Sequence, residues 1–478
     1  MATRISSRAT KQGRWRRMVG LASVVAAVSA PSTSRAADEP IAPSRRDAVL
    51  GSFEQLAGSI ERFSLGNGLR VVLAPDSASP TVGISVTYAV GSSSETAGRS
   101  GFAHLFEHMM FQGSRNVPKG EHFKLIAARG GRLNGSTDAD RTNFYEELPA
   151  SELALGLWLE ADRLRSLQVT EANFQNQRAV VEEEFRMRVQ NQPYAPAELR
   201  LAELVFGEYW PYAHPVIGSL ADLDAAKFDW VRDFHQQYYT PKGAVLAIAG
   251  SFEPARAREL VEQYFAGIAG NTAKEKQPHP LLSERVPAPR ELVVDGNART
   301  PALLLGFLVP PSRTREHYAL DLLADVLASG ESSRLYRKLV RERAVAQEVS
   351  AWSEGHVGPD QLTLRVVLTD TGSVADVESA VDDELTRLGR DGPSLAELAR
   401  AQQQQRTMAA FGLQSNLERA IRLGEFETEY GDARLFADEL KHYLAIIPQT
   451  ARLAASQYLE PQRAARIEVR PAVGSSEP

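Results

Sequence analysis

The order of apolar and polar positions predicts strands and helices mixed along the first half of the chain. Short apolar or alternating runs bounded by Gly, Pro or Asn are typical of strands. They predict a hairpin at 63–73 with a Gly-Asn-Gly turn, and strands at 81–90 and 243–249. Apolar residues spaced three and four apart predict helices at 121–128, 151–166, 171–191 and 254–265. Residues 37–60 are interpreted as a polar lead-in.

The second half repeats this order weakly. Its predicted strands are at 290–295, 303–309, 349–351 and 361–368. Its predicted helices are at 317–328, from about 330 onward, and at 395–406, 416–425 and 433–444. The pattern predicts an α+β fold of two tandem homologous domains, each a mainly antiparallel sheet covered by helices. We place the first domain at 37–265 and the second at 290–478, with 266–289 as a linker because Gly, Lys and Pro break the periodicity there.

The strongest chemical signal is His104-Leu105-Phe106-Glu107-His108. On a helix its three polar side chains fall within an arc of about 100°. Two imidazoles four residues apart can hold one metal ion, and a carboxylate beside them can take a proton from water. The order is that of the inverted zinc motif H-x-x-E-H. The alternative is a His pair without a ligand role; the flanking apolar residues in either case predict a packed helix, with Ser100 as its N-cap and Gly113 ending it.

A zinc site needs a third protein ligand, and Glu184 is the best candidate. On the predicted helix 171–191 it lies about 60° from the apolar Val181, closer than Glu182 or Glu183. An inward carboxylate requires a cation. The alternative is a solvated acidic cluster neutralised by Arg186 and Arg188.

Four signals in this order resemble the pitrilysin family of inverted-motif zinc peptidases, which includes insulin-degrading enzyme and the mitochondrial processing peptidase. Glu184 follows His108 by 76 positions within Val180-Val181-Glu182-Glu183-Glu184. Between them, Gly130-Gly131-Arg132-Leu133-Asn134-Gly135-Ser136-Thr137 is similar to the family's G-G-x-x-N-A-x-T hairpin, and Thr142-Asn143-Phe144-Tyr145 to its T-x-Y-Y strand.

The resemblance implies one Zn²⁺ per chain on His104, His108 and Glu184, with Glu107 as the general base. It implies that Asn134 and Gly135 lie on an edge strand that pairs with the backbone of a peptide substrate. Such chains form half of a clamshell. The family usually has a second glutamate where this chain has Gln177. Glutamine can hydrogen-bond a ligand but brings no charge, which puts the tuning of the site in doubt.

The N-terminal 36 residues differ from the rest. They hold seven basic and no acidic residues, and they include an apolar run at 18–30. This predicts a secretory signal peptide and a periplasmic or secreted protein; the alternative is a mitochondrial presequence and a matrix protein. Without residues 1–36 there remain 47 basic and 60 acidic residues, a net charge of −13. That charge argues against nucleic acid as a partner, no span is expected in the mature chain, and the absence of cysteine excludes thiolate zinc ligands.

The second half lacks H-x-x-E-H. Family members that hold substrate with this half have an Arg and a downstream Tyr; here Arg341 is kept and Gln347 takes the Tyr place. We therefore expect a homologous partner subunit that supplies the Arg/Tyr pair, with a homodimer as the alternative. The predicted function is a zinc endopeptidase acting on peptides or unfolded polypeptides, and the alternative is a non-catalytic peptide-binding or scaffold subunit.

Overall fold

The computed structural model describes residues 44–270, 279–282 and 288–472. The predicted signal peptide at 1–36 lies outside the described residues, as do 271–278 and 283–287 of the predicted linker. No helix in the described ranges is long and apolar enough to cross a membrane.

The strands before the predicted linker are β1 Glu61–Ser64, β2 Arg70–Pro75, β3 Thr81–Tyr88, β4 Arg132–Thr137, β5 Thr142–Pro149 and β6 Ala244–Gly250. The helices are α1 Ser44–Ser59, α2 Phe102–Met109, α3 Glu121–Ala128, α4 Leu153–Ser166, α5 Glu171–Phe185, α6 Ala195–Phe206, α7 Trp210–Ala213, α8 Leu220–Ala225, α9 Phe228–Tyr238 and α10 Pro254–Phe265. A π-helical turn, Arg186–Gln190, continues α5.

The strands after the linker are β7 Arg290–Asp295, β8 Ala302–Val309, β9 Ala346–Ser353, β10 Asp360–Leu368 and β11 Ala465–Pro471. The helices are α11 Arg315–Ala328, α12 Val374–Asp391, α13 Leu395–Gln414, α14 Asn416–Tyr430, α15 Glu439–Leu444 and α16 Pro448–Tyr458. A π-helical segment spans Tyr336–Glu342, and a 3₁₀ helix, Ala433–Asp438, precedes α15.

The two sheets have the same strand order. The first runs β1-β2-β6-β3-β5-β4 and the second β7-β11-β8-β10-β9. Each has one parallel pair, β2–β6 or β7–β11, and its other pairs are antiparallel. The sheets therefore match strand for strand, except that β1 extends the first. This confirms the α+β fold of two similar halves.

The two halves exchange one helix. Helix α14 packs on β3 and β6 of the first sheet, and the matching helix α6 packs on β8 and β11 of the second. The contacts are close: a Cβ added at Gly424 of α14 would lie 2.6 Å from the Thr87 hydroxyl, and one at Gly306 of β8 would lie 2.9 Å from Leu201 of α6. The strands of the first sheet precede the predicted linker in the sequence, and those of the second sheet follow it. Each covering helix, in contrast, comes from the half of the chain that holds the other sheet.

The interpretation of residues 37–60 as a polar lead-in was wrong for its second part, which forms α1. Phe53 and Leu56 of this helix are buried, and α1 packs on the 3₁₀ helix at 433–438 more than on β2 or α13. Two apolar anchors do not give a recognisable amphipathic pattern, so the contact that stabilises α1 comes from residues over 350 positions away.

Several elements were not predicted from the pattern: α6–α9, α12, α16 and β11. The signal for α12 was present, because Val377, Val381, Leu385 and Leu388 are spaced three and four apart and buried. Strand β11 alternates arginine and glutamate with apolar residues, and α7 begins with Trp210-Pro211, so both patterns are short or interrupted.

A buried ionisable cluster lies between α3, α4 and β5. The His122 ring is 3.1 Å from the Glu146 carboxyl, and Glu160 pairs with Arg163, which lies 4.5 Å from the Phe144 ring centroid. Burial raises the pKa of Glu146 to about 8, although Arg163 opposes the shift, and burial lowers the pKa of His122 to about 4. Near neutral pH the core therefore holds Glu146 as a neutral acid. Burial raises the pKa of Glu160 as well, and the Arg163 charge opposes that shift.

We expect Glu146→Gln to weaken the pH dependence of stability. The pKa of Glu146 is raised above its ordinary value of 4.5, so between these two values the folded state holds a proton that the unfolded state has lost. The free energy of unfolding then falls as pH rises, by up to about 1.4 kcal/mol per pH unit. Urea denaturation from pH 5 to 8 should show this loss in the wild type and a shallower slope in the variant. Glu147→Gln, next in sequence and paired with Arg132, is the control and should keep the slope; an unchanged slope in Glu146→Gln would contradict the assignment.

Candidate metal centre

Helix α2 starts on a carboxylate that comes from outside the helix. Its N-cap is Gly101, with φ +87°, and not the predicted Ser100. The Glu95 carboxylate instead accepts hydrogen bonds from the backbone N–H groups of Gly101 at 2.9 Å and Ala103 at 2.8 Å. Ser100 was misassigned because its hydroxyl and backbone N–H donate to Asp222. Glu95 thus satisfies two N–H groups at the start of the helix and places a negative charge there.

His214 holds Glu95 in place. Its Nε2 lies 3.1 Å from the Glu95 carboxylate, and its Nδ1 donates to the Trp210 carbonyl at 2.7 Å. The imidazole is stacked on the Trp210 ring at 4.1 Å between centroids. Burial raises the pKa of Glu95, and the bond from His214 opposes that shift. The aromatic loop around α7 is therefore a rigid support for the first turn of α2.

The two histidines of α2 face one carboxylate of α5. The Nε2 atoms of His104 and His108 lie 3.7 Å and 3.1 Å from the Glu184 Oε2. One ligand atom of each residue lies within 4.8 Å of the others. The His104 Nδ1 is buried without a hydrogen-bond partner. Burial, with the neighbouring His108, lowers the pKa of His104 to about 3, so this ring is neutral, as a metal ligand must be.

Helix α5 is oriented by its ends and its apolar face. The Thr170 hydroxyl accepts the Asn173 N–H at the N-cap, and Phe174 and Val181 are buried. The Glu184 side chain is 12% exposed, whereas that of Glu183 is 62% exposed. Arg188 holds the other Glu184 oxygen, Oε1, at 2.7 Å. Burial raises the pKa of Glu184, but the hydrogen bond from His108 and the electrostatic effect of His104, His108 and Arg188 outweigh it and lower the pKa to about 2.

The donor set fits a zinc ion. Two imidazole nitrogens and one carboxylate oxygen lie close to one another, and zinc binds ligands of these types. Of the two nearby arginines, Arg188 pairs with Glu184, whereas Arg186 pairs with its neighbours Glu182 and Glu183 at the helix surface. Three protein ligands leave room for water or substrate in a tetrahedral site.

Glu107 lies beside this cluster and is partly buried. Its Oε2 accepts a hydrogen bond from the Thr137 hydroxyl of β4 at 2.7 Å. Gly135 lies against it, since a Cβ there would be 3.0 Å from the Glu107 Cγ. Burial raises the pKa of Glu107, and the Thr137 bond opposes the shift. Sequence reasoning missed Thr137, although its place at the end of the similar hairpin could have indicated it.

The other predicted site residues lie on β4 and α5. Asn134 and Gly135 are on β4, the last strand of the first sheet, whose outer edge pairs with no other described strand. The Asn134 side chain is exposed and accepts the N–H of Gly135 at 2.9 Å. Gln177 is buried on α5, and its amide donates to Asn176 at 2.7 Å.

We expect Glu95→Ala to destabilise the protein by about 2 kcal/mol or more, because buried N–H groups at the start of α2 and the His214 ring lose their acceptor. The free energy of unfolding from urea denaturation measures this. Glu171→Ala, an exposed acid in the first turn of α5, is the matched control and should cost about 0.5 kcal/mol or less. Equal losses in the two variants would show that Glu95 does not act as a cap.

The chain matches two models of one peptidase family. Residues 70–206 match the model described as insulinase (peptidase family M16), and residues 226–405 match the model described as peptidase M16 inactive domain. The zinc protease PqqE of Helicobacter pylori is 32% identical over 292 residues, which are 60% of this chain and 65% of that protein.

Solved structures share most of the fold. A protease from Helicobacter pylori has a TM-score of 0.80 at 25% identity and covers 86% of this chain and 99% of its own. The periplasmic protease PqqL from Escherichia coli has a TM-score of 0.70 at 19% identity; the match covers 87% of this chain but 48% of that one. With both halves matched in order by models of this family, the chain belongs to peptidase family M16.

Proposed function

We propose that the protein is a zinc-dependent endopeptidase that hydrolyses peptides or unfolded polypeptides. The observation that carries this proposal is the convergence of His104, His108 and Glu184 next to the partly buried Glu107 carboxylate. The similarity to proteins named zinc proteases supports it.

His104, His108 and Glu184 would hold one zinc ion per chain. Bound zinc supplies a Lewis acid that activates water and polarises the scissile carbonyl. Glu107 takes the proton of the attacking water and passes it to the leaving amine, so no covalent intermediate is needed. The Thr137 hydroxyl fixes the Glu107 Oε2, leaving Oε1 to accept that proton. Gln177 supports α5 without adding charge, and its contact is to Asn176.

Strand β4 is the proposed substrate edge. An extended peptide can pair with its outer N–H and C=O groups, which is recognition by strand addition. Asn134 and Gly135 lie on this strand. Because backbone pairing reads little of the side chains, this edge favours extended or unfolded substrates over a fixed sequence.

The second candidate function is a non-catalytic peptide-binding or scaffold subunit. The match of residues 226–405 to an inactive-domain model and the glutamine at 177 favour it. Metal content of the purified protein and digestion of a fluorogenic peptide with and without a chelator separate the two. Zinc-free protein, or zinc-bound protein without chelator-sensitive cleavage, would select the scaffold.

The proposed enzyme is exported and works with a second subunit. The signal peptide predicted at 1–36 supports a periplasmic or secreted location, with the mitochondrial matrix as the alternative. The match to PqqL covers about half of that longer chain, which supports two such units per enzyme. Arg341 and Gln347 are both exposed, and Arg341 pairs with Glu331 at the surface. A homologous partner is proposed to supply the Arg/Tyr pair; a homodimer is the alternative.

Glu107→Gln should lower the rate of peptide hydrolysis by a factor of about 1,000 or more while zinc stays bound. The amide has the shape of the carboxylate but cannot accept the proton of the water. Peptidase assays and metal analysis of the same sample measure both. Glu183→Gln, an exposed acid one position before Glu184, is the control and should keep both properties. Retained hydrolysis in Glu107→Gln would refute the general-base assignment.

Purification from the native source should yield the chain together with a homologous subunit, or as a dimer of itself. Light scattering after size-exclusion chromatography gives the mass, and mass spectrometry identifies the second chain. A monomer of this chain with full activity would contradict the two-subunit proposal.

A further inference from the structure

The hairpin β4–β5 determines where the Glu107 carboxylate points. Thr137 at the end of β4 donates to its Oε2, and Gly135 packs against its Cγ. The turn that joins the two strands, residues 138–141, directly follows Thr137. A shift of this turn therefore moves the hydroxyl that orients Glu107.

Arg141 organises the turn from within. Its guanidinium donates to the Ser136 carbonyl at 3.0 Å and the Ser136 hydroxyl at 2.7 Å, and it pairs with Asp138 at 3.2 Å. The Arg141 side chain is only 6% exposed. A buried guanidinium needs a full set of acceptors, and its position depends on where those acceptors lie.

The second half of the chain supplies the outer contacts of this turn. Glu425 of α14 pairs with Arg141 at 2.6 Å, with both side chains almost fully buried. On the other side of the turn, the backbone N–H of Val357, in the β9–β10 loop, donates to the Asp140 carboxylate at 2.9 Å. The turn is thus held at two points by residues more than 200 positions away.

Helix α14 is fixed on the first sheet without Glu425. The Asn416 amide donates to the Thr81 carbonyl at 2.9 Å. Leu417 and Ile421 pack on Tyr145, which is opposite Asn134 in the β4–β5 register. Glu425 also pairs with Arg422 of the same helix at 2.7 Å, so the loss of its charge should leave α14 docked but free both the turn and the Arg422 side chain.

We propose that Glu425 is a positioning residue for the reaction, acting through Arg141 and the 138–141 turn on Thr137 and Glu107. The half of the chain without a zinc motif thereby forms part of the catalytic apparatus of the other half. This inference rests on the proposed peptidase function for its kinetic consequence, while the structural link can be measured without it.

Glu425→Gln is the test, with Glu429→Gln as the matched control one turn further along α14, where the side chain lines a separate cavity. We expect kcat to fall by about tenfold or more in Glu425→Gln, because a displaced catalytic group costs this much. KM for a short peptide and zinc content should change little. Glu425→Asp should recover part of kcat, and Glu429→Gln should match the wild type. An unchanged kcat, or equal effects in both glutamine variants, overturns the proposal.

Hydrogen exchange of residues 135–142 gives a readout independent of activity. Faster exchange there in Glu425→Gln, with unchanged exchange in α2 and α5, supports the link; unchanged exchange in the hairpin overturns it. If the wild type shows no chelator-sensitive hydrolysis, the peptidase proposal fails and exchange alone decides this one. If Glu425→Gln does not fold, Asp140→Asn weakens the same turn from its other side, with the same expected and contradicting results.

Discussion

Each sheet of this protein has a face that a helix from the other half covers, and the rest of the structure depends on this exchange. Helix α14 lies on β3 and β6, and α6 lies on β8 and β11, which are the matching strands of the second sheet. Strands left open to water on that face would lose the hydrophobic stabilisation that its burial provides. Neither half can therefore complete its core alone, even though each has its own sheet.

The exchange also explains how the candidate metal centre near one sheet comes to depend on remote residues. The side chains of His104, His108, Glu184 and Glu107 come from two helices, but their supports come from elsewhere. Glu95 and the aromatic loop at 209–215 fix the start of α2. The hairpin that touches Glu107 is held by α14 and the β9–β10 loop. A buried polar site needs such supports because each unpaired group in it is costly.

The first half holds two clusters of ionisable side chains away from water, and the charges of the two clusters are compensated in different ways. In the His104–His108–Glu184 cluster, the carboxylate is ionised and held by Arg188, and the ligand atoms face one another. In the His122–Glu146–Glu160 cluster, Arg163 is the cation and burial keeps Glu146 protonated. The second cluster offers a similar set of ligand atoms, but its internal guanidinium already compensates its charge, which favours a structural role over metal binding.

The sequence by itself determined the features that depend on spacing within one element. The phase of a helix places His104, Glu107 and His108 on one face and sets Glu184 apart from Glu183, and the alternation of apolar residues indicated most strands of both sheets. The tertiary structure decided the rest: α1, the packing of α14 and α6 on the opposite sheets, Glu95 in place of Ser100 as the capping side chain, and the contacts of Thr137 and Arg141. Local spacing fixes a side chain's direction because backbone geometry is periodic. Which distant group meets that side chain depends on how the elements pack, and no short-range pattern encodes the approach of Glu425 to Arg141.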